Sequence, residues 1–193
     1  LKSNISIKYK NMDFENKILS KEISQFIWEK GKTLGTAESC TGGRIAEAII
    51  LMPGASNYFK GSIVSYTNEI KEKILGVSHD VLEEKTAVCE EVAIAMVKGA
   101  INALGVDYAI SATGVAGPSG GTAEIPVGTI WLACGSADDI VTLKIEQDKG
   151  RELNLSNATT QALQLFLDYL KERLKIDDIQ GDEGNVKFPF QGV

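Results

Sequence analysis

The stretch TAESCTGG, Thr36 to Gly43, sets an acid, a hydroxyl and a thiol in succession, then a threonine and two glycines. Thr33 to Ala37 reads as a short strand entering it. Beyond it Ile45, Ala46, Ile49 and Ile50 recur at helical spacing as the inner face of a helix that Pro53-Gly54 ends. A strand that turns into a helix through glycines is the unit of an α/β fold. The turn also offers side chains and backbone N–H groups to a ligand.

The same alternation continues outward. Asp13 to Gly31 carries Ile18, Leu19, Ile23, Phe26 and Ile27 at helical spacing. Lys60 to Tyr66 alternates as a strand, and Thr67 or Asn68 caps a short helix, Glu69 to Leu75. Ser78 can cap another turn, Asp80 to Glu84. Glu90 to Leu104 is an amphipathic helix, Asp107 to Ser111 a buried strand, and Gly128 to Cys134 with Ile140 to Ile145 a pair able to form a hairpin. A long helix from Arg151 or Asn157 to Leu174 follows. The expectation is one α/β domain: a three-layer α/β/α sandwich on a mixed, mostly parallel sheet of about five strands. Residues 13–175 would form the domain, 1–12 an extension ahead of it and 176–193 a polar tail.

Composition excludes several classes. The 193 residues carry a formal net charge of −6 and no basic stripe, so no nucleic-acid partner is expected. No apolar run approaches the roughly 18 residues of a membrane span, so no membrane partner is expected either. Cys40, Cys89 and Cys134 are odd in number and lack metal-ligand spacing. They imply a cytoplasmic protein without a disulfide framework or a structural metal. Cys89 and Cys134 sit on apolar patterns and are expected in the core.

In open α/β sheets ligands bind beyond the carboxyl ends of the strands, which selects three loops. In the first, Ser39 stands where its hydroxyl can meet helix N–H groups, and Gly42 and Gly43 allow close approach. A plain alternative is that Ser39 or Thr41 is only an N-cap. A Ser-His-Asp triad has only His79 to draw on, which reads as a surface residue. The second loop offers Tyr66 and Lys71. Lys71 falls in a first helical turn, where a cation is disfavoured and the neutral amine, a possible base, is promoted; pairing with Glu69 or Glu72 is the plainer reading. The third, Thr113 to Pro126, is glycine-rich without being a Walker or Rossmann loop, and can present N–H groups to an anion. Arg151 is a natural phosphate partner or an ordinary solvated arginine. Cys40 is a rival nucleophile. Glu38 can be a base, a ligand anchor or a carboxylate that orients Lys71.

The motifs TAESCTGG, PGASNYFKGSIVSYTNEIK, ILGV, ATGVAGPSGG and PVGTIWLA, in this order over about residues 15–172, resemble the CinA C-terminal domain family. Its stand-alone members are nicotinamide-nucleotide amidohydrolases, or NMN deamidases. The resemblance implies an anticodon-binding-domain-like fold. It also implies hydrolysis of the carboxamide of nicotinamide mononucleotide in pyridine-nucleotide salvage, with no cofactor and no metal, by a homodimer. The catalytic residues it implies are Ser39 as nucleophile, Lys71 as base, Tyr66, and Ser56 as a second hydroxyl close to the site. Substrate-binding positions are Glu38, Cys40, Thr41, Gly42, Gly43, Thr113, Gly114, Gly117 and Arg151. Cys89 departs from the pattern, standing where a serine is usual. Two other readings share these residues: a nucleotide-sensing module without turnover, and an amide hydrolase for another substrate.

Overall fold

The computed structural model describes residues 2–174, with side chains from Phe14 to Arg173. The expected polar tail, 176–193, lies outside the described residues. The elements are α1 (Lys2–Glu29), β1 (Leu34–Glu38), α2 (Arg44–Ile50), a 3₁₀ turn (Ala55–Asn57), β2 (Phe59–Val64), α3 (Asn68–Leu75), α4 (His79–Lys85), α5 (Glu90–Leu104), β3 (Tyr108–Gly114), β4 (Thr129–Gly135), β5 (Ile140–Glu146) and α6 (Arg151–Leu174). The first helix begins at Lys2, well before the Asp13 that the apolar spacing marks.

The strands form one sheet in the order β2-β1-β3-β4-β5. β1 is parallel to both β2 and β3, while β4 runs antiparallel to β3 and β5. Four of the five strands therefore point the same way, and β4 alone is reversed. The reversal follows from the chain: β4 and β5 are joined by a short turn that only antiparallel strands can accept.

Strand alternation divides the core into two layers. Leu34, Ile110, Ile130 and Leu132 pack with α1, α2 and α6 on one face. Ala37, Ala109 and Ala133 pack with α3, α4 and α5 on the other. The small residues on the second face let its helices lie close. Gly99 carries this further, since a Cβ there would stand 2.1 Å from the Leu75 carbonyl oxygen. That contact seats the end of α3 directly on α5, and α3 is the helix that carries Lys71.

Two expectations about burial change. Ile50, assigned to the inner face of α2, is 58% exposed, and Ala48 takes its place. The helix is seven residues long, so its inner face ends at Ile49. Cys89 is half-buried at the margin of the α3–α5 layer rather than inside it: it is the N-cap residue of α5 and makes no side-chain cap bond. Cys134 is fully buried, on the α1–α2–α6 side.

Candidate active site

Ser39 follows the last residue of β1. Its N–H donates to Ala112 O at 2.9 Å, which continues the β1–β3 ladder one step past the strand. Ser39 lies two residues beyond Ala37, so its side chain faces the α3–α5 layer. There Lys71 Nζ lies 2.9 Å from Ser39 Oγ and also donates to Ser65 O at 2.9 Å. Thr67 starts the helix that delivers Lys71, its Oγ1 accepting from Ile70 N.

Lys71 is 1% exposed and, among the described residues, forms no ion pair. Burial strips its ammonium of water and no carboxylate replaces it, so its pKa is held below the ordinary lysine value. A lysine poised toward its free amine, in hydrogen-bond contact with a serine hydroxyl, can take that hydroxyl's proton. Cys40, the rival nucleophile, is buried, and its thiol is pushed up to about 12, chiefly by desolvation. It is a thiol at neutral pH and a poor nucleophile there.

Glu38 has a different task from any foreseen. It is fully buried on the opposite face. Its Oε2 accepts from Thr41 Oγ1 at 2.8 Å, Gly43 N at 2.9 Å and Ile45 N at 3.1 Å. Its Oε1 accepts from Ala46 N at 2.9 Å, with Thr36 Oγ1 at 3.3 Å. The carboxylate fills the N-terminus of α2, satisfying N–H groups that would otherwise be open to a ligand. Glu38 is therefore neither a ligand anchor nor a partner of Lys71, and the side chain of Thr41 is committed to it. Gly42 and Gly43 adopt φ of 61° and 101°, which the tight turn requires. Their N–H groups are taken, by Ser39 O and Glu38 Oε2 respectively. Among the described residues, the N–H groups of Cys40 and Thr41 have only the Cys40 sulfur beside them. The oxyanion donors this turn can supply are thus narrower than the Cys40–Gly43 span.

Thr113 aligns with Ser39 across β1 and β3, but its hydroxyl donates to Ala87 O at 2.7 Å and is 1% exposed. Gly114 is glycine for packing, since a Cβ would lie 2.5 Å from Thr129 O on β4. Gly117, at φ 84°, turns its carbonyl to Arg151 Nη1 at 2.7 Å. Arg151 opens α6 and spans the site's rim, its Nη2 donating to Tyr66 Oη at 3.3 Å. Tyr66 is 60% exposed and partners Arg151 rather than Lys71 or Ser39.

Ser56 is not brought to this cluster. It sits in the 3₁₀ turn ahead of β2, beside Tyr58, whose carbonyl accepts from Leu34 N at the start of β1. At roughly 3.3 Å per residue, the length of β1 puts it about 17 Å from Ser39, at the amino edge of the sheet. Two residues that spacing missed do belong here. Asn154 is 4% exposed. Its Nδ2 donates to Ala116 O at 3.1 Å and to Asp148 Oδ1 at 2.9 Å, tying α6 to the glycine-rich loop. Its place one helical turn after Arg151 is the only sequence signal for it. Ser65, fully buried, holds Nζ of Lys71 through its carbonyl. Among the described residues no group of three or more His, Cys, Asp or Glu could hold a metal ion. No described helix is long and apolar enough to cross a membrane.

Comparison with known proteins agrees with this architecture. The sequence profile of the CinA C-terminal domain matches residues 16–170. The nicotinamide-nucleotide amidohydrolase PncC of Escherichia coli K12 is 40% identical over 153 residues, covering 79% of this chain and 93% of that protein. A CinA-like protein of Leptospira borgpetersenii is 49% identical over 118 residues, 61% of this chain but only 28% of that longer protein. The structure of the competence/damage inducible protein CihA from Agrobacterium tumefaciens superposes with a TM-score of 0.78 at 33% identity, covering 80% of this chain and 94% of that one. A CinA superfamily protein from Escherichia coli gives 0.77 at 34% identity, covering 80% and 90%. The strand order, the Ser39 turn and these matches together make the chain a member of the CinA C-terminal domain family.

Proposed function

We propose that this chain hydrolyses the carboxamide of nicotinamide mononucleotide to nicotinate mononucleotide and ammonia, with Ser39 as nucleophile and Lys71 as base. The observation that carries the reading is the 2.9 Å approach of Lys71 Nζ to Ser39 Oγ, made by a lysine that is 1% exposed. The amidohydrolase name of the Escherichia coli relative supplies the substrate class.

Lys71 as free amine takes the Ser39 proton while Oγ attacks the amide carbon. The carbonyl electron pair moves onto oxygen, where the N–H groups of Cys40 and Thr41 are the available donors. Loss of one such donor costs about 2.7–4 kcal/mol in comparable sites. The Lys71 ammonium then protonates the departing amine nitrogen, and ammonia leaves an acyl-Ser39 ester. Water, deprotonated by the same amine, cleaves the ester. The Arg151 guanidinium at the rim supplies a cation for the substrate phosphate, and Tyr66 steadies it. Action in the cytoplasm, in salvage, as a homodimer is part of the same proposal and rests on the family resemblance.

The test is ammonia release from nicotinamide mononucleotide by wild type and Ser39→Ala, with a chelator present. Wild type should release ammonia, and Ser39→Ala should lose roughly 10⁴-fold while still binding the nucleotide. Equal rates in the two proteins would remove Ser39 as nucleophile. Binding without release by wild type would leave a sensor.

A further inference from the structure

As an ammonium, Lys71 has one N–H more than it has oxygen partners among the described residues. A neutral amine has two N–H bonds and one lone pair, and an ammonium has three N–H bonds. The structure provides Nζ with two oxygen partners, Ser39 Oγ and Ser65 O. When Nζ takes the Ser39 proton, its third N–H needs an acceptor in a buried setting, where an unmet donor on a charged group is costly.

Ser65 carries the one orphaned oxygen at this place. Its hydroxyl is fully buried and, among the described residues, makes no hydrogen bond. Register fixes where it stands. Ile63 pairs with Ala37 and Val64 with Glu38, and Ser65 N donates to Glu38 O at 2.8 Å, so the ladder continues and Ser65 lies level with Ser39. Two residues beyond Ile63, which packs with Ala37 against α5, Ser65 faces the same layer as Ser39 and Lys71. The residue whose carbonyl already holds Nζ thus carries a free hydroxyl, and its χ1 has three staggered positions to choose from.

We propose that Ser65 is a positioning residue for the base, its Oγ accepting the third N–H of the Lys71 ammonium. The inference deepens the amidohydrolase reading and rests on Lys71 being its base. The proton that moves is the Ser39 proton alone. The Ser39 O–H bond breaks, the Lys71 N–H bond forms, and Ser65 keeps its own proton throughout. By favouring the ammonium, the hydroxyl raises the basicity of an amine that burial alone would weaken too far.

The experiment has a readout that does not need turnover. In protein labelled with ¹³Cε lysine, the Lys71 resonance, assigned by its loss in Lys71→Met, is titrated with pH. The Ser65→Ala midpoint should fall about one pH unit below that of wild type, and Ser65→Thr, which keeps the hydroxyl, should titrate like wild type. On nicotinamide mononucleotide, Ser65→Ala should lose about 10-fold or more in kcat/KM, with the acid limb moved down by the same unit. An unmoved midpoint overturns the proposal, and so does a slower enzyme whose acid limb has stayed in place, since that is mere packing damage. Should Ser65→Ala fold poorly, Ser65→Cys, with sulfur as a weak acceptor, must show the lowered midpoint. A shifted midpoint in a protein that never releases ammonia would refute the amidohydrolase reading and leave the Ser65–Lys71 contact standing.

Discussion

Glu38 and Ser39 are consecutive at the end of β1, yet one serves the α1–α2–α6 face and the other the α3–α5 face. The two sides solve opposite problems. On the Glu38 side a buried charge meets five donors, three of them N–H groups of the α2 turn. On the Ser39 side a buried lysine meets a hydroxyl and a carbonyl and no carboxylate. Satisfaction makes the first a structural element. Shortage of partners keeps the second poised toward its free amine, because desolvation disfavours the ammonium where no carboxylate answers it.

Breaking the reactive side should have the largest effect. Lys71→Met should reduce turnover by about 10³-fold or more. It should also raise the melting temperature at neutral pH, because it removes a group whose protonated form the fold disfavours. Each kcal/mol relieved is worth roughly 2–4 °C in a chain of this size. Lys71 titrates lower in the folded protein than in the unfolded chain. Between those two values the unfolded state binds more protons, so wild-type stability rises with pH. The advantage of Lys71→Met should therefore be full below the folded value and shrink as pH climbs toward the ordinary lysine value. Calorimetry from pH 6 to 10 checks this, and a constant advantage would mean that Lys71 is not desolvated.

The structural side should fail differently. Glu38→Ala should cost about 3–5 kcal/mol, since the N–H groups of Gly43, Ile45 and Ala46 lose their acceptor inside the protein. Urea unfolding measures it. Full stability with lost turnover would instead place Glu38 in the chemistry and erase the contrast between the faces. The smallest effect sharpens the same contrast at another helix. α5 starts at Cys89 without a side-chain cap. Cys89→Ser should add about 1 kcal/mol by supplying one, leaving turnover unchanged.

Much of this was legible from residue order. The span of α5, the five strands and the strand-turn-helix at Thr36–Gly43 follow from periodicity and glycine placement. Ser39 and Lys71 were legible as a pair only through a resemblance in motif, because position alone left Lys71 open between a base and a surface partner of Glu69, Glu72 or another solvent-side acid. What escaped depended on register. Whether Glu38 faces α2 or Lys71 is a matter of one residue along β1. Ser56 belongs to a motif beside β2 in the chain, but a strand's length separates the two edges of a sheet. The orphaned hydroxyl of Ser65 has no sequence signature, since an unmet hydrogen bond is defined only by what surrounds it. The first turns of α1, before Asp13, hold Ile5, Tyr9 and Met12 at helical spacing, but their polar, lysine-rich surroundings read as an extension ahead of the domain.

The register of β1 also limits how this chain can change. A single-residue insertion or deletion between Leu34 and Ser39 would exchange the two faces, delivering a carboxylate to Lys71 and a hydroxyl to the open end of α2. The lysine would then settle into an ion pair, fully charged and unable to accept a proton, while α2 lost its anion. One such step would undo the Ser39–Lys71 contact and the anchoring of α2 together, so length variation in β1 has no mild intermediates. Insertions should instead be tolerated in the turns at the amino edge of the sheet, where the Ser39–Lys71 contact does not depend on counting.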